Sequence, residues 1–157
     1  MLWRETLRVR LWSFFKVPLL YYARPVVLEL NEGRTVVSIR LRRRTRNHLG
    51  SMYFGALCIG ADVAGGLAAM RAIEESGGGM SLIFGEIHAD FLKRPEDDVV
   101  FTCLEGQEIR ELVALARSSG QREHMPVHVT ATVPSLSGAE PVAKFRLTLS
   151  IKQKAVS

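Results

Sequence analysis

Residues 47–75 read NHLGSMYFGALCIGADVAGGLAAMRAIEE and contain the longest apolar segment of the chain; Asp62 is the only acid ahead of the two closing glutamates. Ser51 precedes the apolar run and is a favourable N-cap residue, so we expect a helix from about Met52 to about Glu75. Almost every face of this helix is apolar, which predicts burial on nearly all sides. Its many small residues indicate that another backbone layer approaches closely, because each glycine in a helix costs about 1 kcal/mol against alanine.

The size and composition of the chain are those of an ordinary globular protein. Its 157 residues suffice for one domain with a sizeable core, and hydrophobic residues make up 47% of them. The net charge of +5 is compatible with nucleic acid, anionic lipid or phosphorylated cofactors as partners, without choosing among them. Two cysteines without Cys-x-x-Cys spacing, and no recognisable signal peptide, predict a cytoplasmic protein.

The apolar helix is long enough to span a membrane, but its composition opposes that interpretation. Asp62 at the centre of a bilayer would cost about 3 kcal/mol, and the glycines and alanines around it contribute little transfer free energy. We therefore expect a buried helix in a globular core.

Residues 1–24 combine large apolar residues with Arg4, Arg8, Arg10 and Lys16 at helical spacing, and Pro18 should break or kink the helix. One interpretation is a basic amphipathic helix on an anionic membrane surface. The alternative, which we prefer, is a helix packed across the sheet or over the mouth of a pocket.

Six segments have the alternation of strands, namely 26–31, 34–42, 80–92, 99–104, 127–133 and 142–151, whereas residues 109–116 fit a short helix. Alternation through the third segment predicts one face with Leu82, Phe84, Glu86, His88 and Asp90, and another with Ile83, Ile87, Ala89 and Phe91. This order of elements predicts an α+β fold in which one antiparallel sheet curves around the central helix.

The spacing of Asn47, Gly50, Gly55 and Asp62 resembles that of the PaaI-like acyl-CoA thioesterases of the hot-dog superfamily, and more closely an uncharacterised thioesterase-like branch of it. The resemblance implies a single hot-dog domain in residues 1–157, with five to six antiparallel strands around one long helix in residues 25–152. It also implies a homodimer, which can pair again into a dimer of dimers.

The same resemblance implies an acyl-CoA or other acyl thioester as substrate, with coenzyme A as part of that substrate and with no separate cofactor or metal. Thioesterases of this type carry His-Gly-Gly at the helix start, whereas residues 53–55 here are Tyr-Phe-Gly. The missing histidine keeps a second function open, a non-catalytic hot-dog protein that binds acyl-CoA or an acyl chain.

Thioester hydrolysis needs a donor for the oxyanion and either a nucleophile or a base that activates water. The unpaired N–H groups of a helix start can supply the donor, so Phe54 or Gly55 is predicted to polarise the carbonyl. Asn47 is predicted to hold water or the carbonyl, and Asp62 to attack directly or act as general base. Tyr53 and Ser51 are predicted substrate contacts beside the helix start.

Phe54 and Asp62 are eight residues apart, or roughly 12 Å along one helix axis, so they cannot act on one carbonyl from the same chain. A two-fold dimer with antiparallel helices would bring Asp62 of one subunit to the helix start of the other. Structural alternatives stay open for two residues: Asp62 could pair with an arginine or a backbone group, and Asn47 could cap its own turn.

Two further sets of polar residues have both a structural and a functional interpretation. Glu86 and His88 could contact substrate, or they could belong to a solvated or intersubunit strand face. The basic run over residues 40–46 could be a solvated edge, or Arg43 and Arg44 could bind the phosphates of coenzyme A. We do not expect nucleic-acid binding, because no zinc spacing, RNA-binding motif or interleaved aromatic residue accompanies the arginines.

Overall fold

The computed structural model describes residues 1–154 and has the predicted order of elements, except that the short helix α5 (Pro134–Ser137) replaces part of a predicted turn. Helices α1 and α2 precede two strands, the long helix α3 follows, and four strands complete the sheet. The helices are α1 (Trp3–Lys16), α2 (Pro18–Ala23), α3 (Phe54–Glu75), α4 (Gly106–Ser119) and α5 (Pro134–Ser137). The strands are β1 (Val26–Leu30), β2 (Thr35–Ile39), β3 (Met80–Phe91), β4 (Val99–Cys103), β5 (Glu123–Thr132) and β6 (Pro141–Gln153).

All six strands form one antiparallel sheet in the order β1-β2-β4-β5-β6-β3. The sheet packs one face against α3, which contacts every strand from β2 to β6. The predicted α+β class and antiparallel sheet around one long helix are confirmed. Strand β3 is at one edge of the sheet, and its outer side has no neighbouring strand among residues 1–154.

Helix α3 is long and apolar enough to cross a membrane by length and composition, yet 67% of its most apolar 18-residue window is buried within the fold. The sequence suggested that a second backbone layer approaches the small residues of α3. In the structure these residues instead accommodate large side chains from the sheet. A Cβ atom on Gly60 would overlap the ring of Phe101 from β4, and one on Gly65 would lie 3.3 Å from Val127 Cγ2. The glycines therefore create space for bulky strand residues.

Replacing Gly60 with alanine should destabilise the fold by about 1–3 kcal/mol, although alanine is the better helix former. The added methyl group would overlap the ring of Phe101, which is fully buried, so the ring or the helix would have to shift. Urea denaturation of the variant measures the effect. Gly33→Ala is the control, because nothing lies within 4 Å of its added Cβ. Equal stability of Gly60→Ala and wild type would contradict the proposed contact.

Helix α3 begins two residues later than predicted. Tyr53 is its N-cap and makes no side-chain capping bond, so the prediction that Ser51 caps the helix is wrong. The Ser51 side chain instead hydrogen-bonds to Asn47, because the chain between them forms a tight turn before the helix. Met52 is still extended and forms an isolated bridge with Arg46.

The N-terminal helices divide at Pro18, as predicted, and α1 lies over the β1 and α3 side of the molecule. The backbone of Leu2 donates to the carbonyl of Val27, and the Val27 N–H donates to Thr6 Oγ1 over 3.0 Å. These bonds hold α1 against β1. The preferred interpretation of this segment, a helix over the mouth of a pocket, agrees with its position beside a large cavity.

A β-bulge interrupts β3 between Phe84 and Glu86, with Gly85 as the extra residue. Before it, Leu82 and Phe84 pair with the inward-facing residues Ile151 and Leu149 of β6. The bulge exchanges the two faces, so that Ile87, Ala89 and Phe91 face inward beyond it, and Glu86, His88 and Asp90 face outward. The prediction that Glu86 and His88 share a face with Leu82 and Phe84 is wrong, because unbroken alternation does not hold through a bulge.

Candidate active site

Asp62 lies on the wall of a cavity of about 850 Å³ between α1, α3 and the start of β3. Most of its lining is apolar, from Trp3, Val9, Trp12, Leu67, Leu82 and Phe84. A cavity of this size and composition is typical of small-molecule sites, in which a few polar groups fix the orientation of an apolar ligand. Three acids of α3 line this space: Glu74 and Glu75 are exposed at the C-terminal end of the helix, whereas Asp62 is the one that is largely buried.

The Asp62 carboxyl group is half-buried and has no hydrogen-bond or ion-pair partner among residues 1–154. Burial alone raises its pKa to about 6. The structural alternative, in which Asp62 pairs with an arginine or a backbone group, therefore has no support within one subunit. An unpaired carboxylate with a pKa close to neutral pH is suited to act as a general base.

The N-terminus of α3 supplies two free hydrogen-bond donors. The N–H groups of Ala56 and Leu57 donate to the carbonyl of Tyr53, whereas those of Phe54 and Gly55 have no acceptor among the described residues. These two N–H groups lie at the positive end of a 22-residue helix. Their arrangement can stabilise negative charge that develops on a carbonyl oxygen.

Aromatic side chains surround these donors. The rings of Tyr53 and Phe54 are in contact at 4.7 Å between centroids, and Phe54 meets Phe91 of β3 at 6.3 Å. All three rings are about half exposed. The start of α3 therefore lies beside the C-terminal end of the edge strand β3, where an apolar part of a ligand could cover it.

Asn47 is engaged in its own turn. Its Oδ1 accepts hydrogen bonds from the Leu49 and Ser51 backbone N–H groups, and its Nδ2 lies 3.0 Å from Ser51 Oγ. These bonds match the structural alternative for Asn47 and shape the loop that leads into α3. A direct contact of Asn47 or Ser51 with substrate stays a prediction.

The structure does not bring all predicted site residues together. Neither Glu86 nor His88 lines the Asp62 cavity; on the outer face of the sheet Glu86 lies 3.5 Å from Arg146, and His88 lies 3.5 Å from Asp90. Arg43 is exposed, and Arg44 lines a second, smaller cavity. None of these four residues lines the Asp62 cavity. Their predicted contacts with substrate stay predictions for the assembled protein.

The contribution of Phe84 to the cavity was not predicted, and the sequence did not show which residues α1 would cover. Residues from Trp3 to Ser13 cover one side of the cavity, and the Phe84 ring and Asp62 Oδ1 both lie about 3.6 Å from the position of a Cβ on Gly66. The aromatic residues in the N-terminal segment were the available signal. The segment was predicted to pack across the sheet or over the mouth of a pocket, but nothing in its spacing chose between these positions or identified the pocket.

Within one subunit the predicted base, Asp62, and the predicted oxyanion donors, the N–H groups of Phe54 and Gly55, are in different places. The cavity is lined by α3 from Asp62 onward, whereas Phe54 and Gly55 are not among its lining residues. Asp62 and Phe84 of the edge strand both lie close to Gly66, and Phe54 contacts Phe91 further along the same strand. Asp62 and the start of α3 therefore both lie near the unpaired edge strand β3, at different points along it.

Comparison with known proteins identifies relatives of this fold. A family model described as "Domain of unknown function (DUF4442)" matches residues 8–151. No curated protein matches the chain. Among solved structures, a protein of unknown function from Pseudomonas aeruginosa, described as a probable thioesterase, is similar with a TM-score of 0.76 and 21% identity over 94% of this chain and 95% of that one.

Two further structures are similar over almost their whole length. A protein of unknown function from Chlorobaculum tepidum has a TM-score of 0.82 at 11% identity, with 97% and 96% of the two chains covered. A thioesterase from Haemophilus influenzae has a TM-score of 0.67 at 17% identity, with 91% and 88% covered. These likenesses confirm the hot-dog fold that the sequence resemblance implies.

Proposed function

Since the chain belongs to the DUF4442 family and has the hot-dog fold of proteins described as thioesterases, we propose that it hydrolyses acyl-CoA thioesters at a site shared between two subunits. The observation that carries the proposal is Asp62, an unpaired, half-buried carboxyl group on the wall of an apolar cavity of about 850 Å³. The cavity would take the acyl chain, and the carboxylate would activate water for attack on the thioester carbonyl.

The proposed dimer forms by pairing of the β3 edges. An antiparallel pair centred on His88, with Gly85 bulged out of each strand, would place Phe84 opposite the partner's Phe91. Because Asp62 and Phe84 share the surroundings of Gly66, and Phe54 contacts Phe91, this register would bring Asp62 towards the helix start of the other subunit. The same pairing would cover the inward-facing side chains of Ile87 and Phe91, which are about half exposed in one subunit.

In the proposed reaction, water attacks the carbonyl carbon while Asp62 removes its proton, and negative charge develops on the carbonyl oxygen. The Phe54 and Gly55 N–H groups of the other subunit stabilise this charge. Collapse of the tetrahedral intermediate breaks the carbon–sulfur bond, releases coenzyme A and returns the proton from Asp62 to the thiolate. No separate nucleophile is needed, and burial raises the pKa of the Cys58 thiol, which makes it a poor one.

The proposal is tested by assaying hydrolysis of a panel of short, long and aromatic acyl-CoAs, with release of free thiol as the readout. We expect turnover that is lost as the pH falls through about 6, because only the ionised form of Asp62 can accept a proton. Light scattering in the same buffer should give the mass of a dimer or a larger assembly. A strictly monomeric protein at the assay concentration would exclude the shared site.

The alternative function is an acyl-CoA or acyl-chain binder without turnover. The aromatic residues Tyr53 and Phe54 at the helix start, where the resembling thioesterases carry a histidine, favour it. Saturable binding of acyl-CoA without thiol release across the panel would select this alternative over hydrolysis.

A further inference from the structure

Helix α1 has an unusual distribution of polar and apolar residues. Its two buried residues are Thr6 and Ser13, whereas its large apolar residues are mostly exposed. The buried Thr6 hydroxyl accepts from the Val27 backbone, and the Ser13 hydroxyl donates to the Val9 carbonyl within the helix. The helix therefore packs on the molecule through Thr6, Ser13 and the partly buried Val9, and leaves most of its bulky apolar side chains exposed.

These exposed side chains form a continuous strip. Trp3, Leu7, Leu11 and Phe14 recur every three or four residues and so lie along one side of α1. Phe14 contacts Phe15 and the Tyr21 ring of α2 at about 5 Å between centroids, which extends the strip onto α2. We define the apolar strip by its exposed residues Trp3, Leu7, Leu11, Phe14, Phe15, Leu19 and Tyr22, of which Phe15 is 75%, Leu19 65% and Trp3 64% exposed.

Four arginines meet beside this strip. Arg10, Arg24, Arg40 and Arg44, here called the arginine cluster, line a cavity of about 220 Å³. No carboxylate among residues 1–154 forms an ion pair with any of them, and the buried Nε of Arg44 has no hydrogen-bond partner. Such a group of unneutralised guanidinium ions is a binding site for an anion, with phosphate as the best geometric match.

The environment of Arg10 supports this interpretation. Burial, followed by the other three guanidinium groups, lowers the pKa of Arg10, which indicates mutual repulsion without a counter-charge. Arg10 donates only to the backbone carbonyls of Pro25 and Arg24. A bound anion would relieve the repulsion and satisfy the free donors.

We propose that the apolar strip and the arginine cluster together form a docking surface for an anionic lipid bilayer. Arg10 is three residues after Leu7 and four before Phe14, so its side chain leaves α1 next to the strip. In this arrangement the strip enters the boundary between headgroups and acyl chains, and the cluster holds a lipid phosphate. Residues 1–25 contain five basic residues and one acid, Glu5, which is 3.5 Å from Arg8.

The charge of this surface favours an anionic bilayer over a second copy of the chain as its partner. Two copies that met through this face would bring two sets of unpaired arginines together, which is unfavourable when no acid on the face neutralises them. An anionic bilayer offers both components that the face lacks, an apolar medium for the strip and phosphates for the cluster. The proposal does not depend on the reaction at Asp62.

Vesicle flotation of the full-length protein tests the proposal, with phosphatidylcholine vesicles that contain about 30 mol% phosphatidylglycerol or none. We expect binding to the anionic vesicles alone, and weaker binding at higher salt. Arg10→Gln and Arg40→Gln should each weaken partitioning about fivefold, the contribution of one basic residue at an anionic surface. Leu11→Ser and Phe15→Ser should weaken it by a similar factor or more, through lost apolar burial.

Matched controls come from elsewhere on the surface. Leu115→Ser replaces an equally exposed leucine on α4, and Arg34→Gln replaces an arginine paired with Glu29; both should bind vesicles like the wild type. Equal binding to neutral and anionic vesicles, or no loss in the strip and cluster variants, would overturn the proposal. So would a fall in oligomeric mass in the strip variants with unchanged vesicle binding, or arginine-dependent binding of inorganic phosphate without vesicle binding.

Discussion

Replacing Asp62 with asparagine is expected to slow acyl-CoA hydrolysis by roughly 100- to 10,000-fold, the usual contribution of a positioned general base. Asparagine keeps the shape of the side chain but cannot accept the proton from water. Thiol release under saturating acyl-CoA measures the loss in kcat. Asp90→Asn is the matched control, because Asp90 is an exposed acid on the outer face of β3 and should retain wild-type activity.

The same substitution should stabilise the protein, but only above acidic pH. Burial raises the folded-state pKa of Asp62 from 3.8 to about 6, so folding favours the protonated acid. The stability that this protonation contributes is fully present below pH 3.8 and is lost as the pH rises through about 6. The ionised carboxylate then costs up to about 3 kcal/mol at pH 8, and Asp62→Asn removes that cost.

Urea denaturation at pH 4.5 and pH 8 separates the two effects of Asp62→Asn. We expect the variant to exceed the wild type in stability at pH 8 by about 1–3 kcal/mol, and the difference to become small at pH 4.5. A variant that is as active as the wild type would remove Asp62 from the mechanism. A stability difference of the same size at both pH values would show that Asp62 does not titrate as its burial indicates.

Phe54→Pro should lower kcat by about 100- to 1,000-fold, the range for removal of one oxyanion donor. Phe54 is the first residue of α3, a position where proline is tolerated because the N–H makes no helical hydrogen bond. The preceding residue, Tyr53, has φ −66° and ψ 138°, a conformation that a following proline permits. Phe54→Ala is the control: it loses the ring but keeps the N–H, and should lose much less activity than Phe54→Pro.

Mixing the two inactive variants tests whether the site is shared. In a heterodimer of Asp62→Asn with Phe54→Pro, one site has both defects and the other has none. Free exchange of equal amounts should therefore restore about a quarter of wild-type activity, since half of the dimers are mixed and each has one intact site. No recovery after verified subunit exchange would place both groups in sites formed within one subunit.

The sequence predicted the elements that depend on local pattern. The buried helix and all six strands were identified from apolar periodicity, and Asp62 from its isolation among small residues. The start of α3 was misplaced because Ser51 has the side chain of a cap but is held by Asn47 in the preceding turn. A preference for a residue at a helix start does not reveal a competing hydrogen bond within the loop.

Features that depend on contacts between distant segments were not predictable in the same way. The Asp62 cavity needs α1, which is about fifty residues earlier in the chain, and the arginine cluster joins three separate segments. The periodicity of one segment does not show which distant segment will pack against it. The bulge in β3 did have a local signal, because an isolated glycine inside a strand pattern indicates a bulge, and Gly85 was that glycine.

That bulge also constrains how β3 can evolve. It changes the parity of the strand, so odd-numbered positions are inward after Gly85 and outward before it. Loss or gain of a single residue on either side would exchange inside for outside along the rest of the strand, whereas a change of two residues would preserve the faces. The two halves of β3 are thus separate units of alignment, and homologous positions should be compared within each half and not across Gly85.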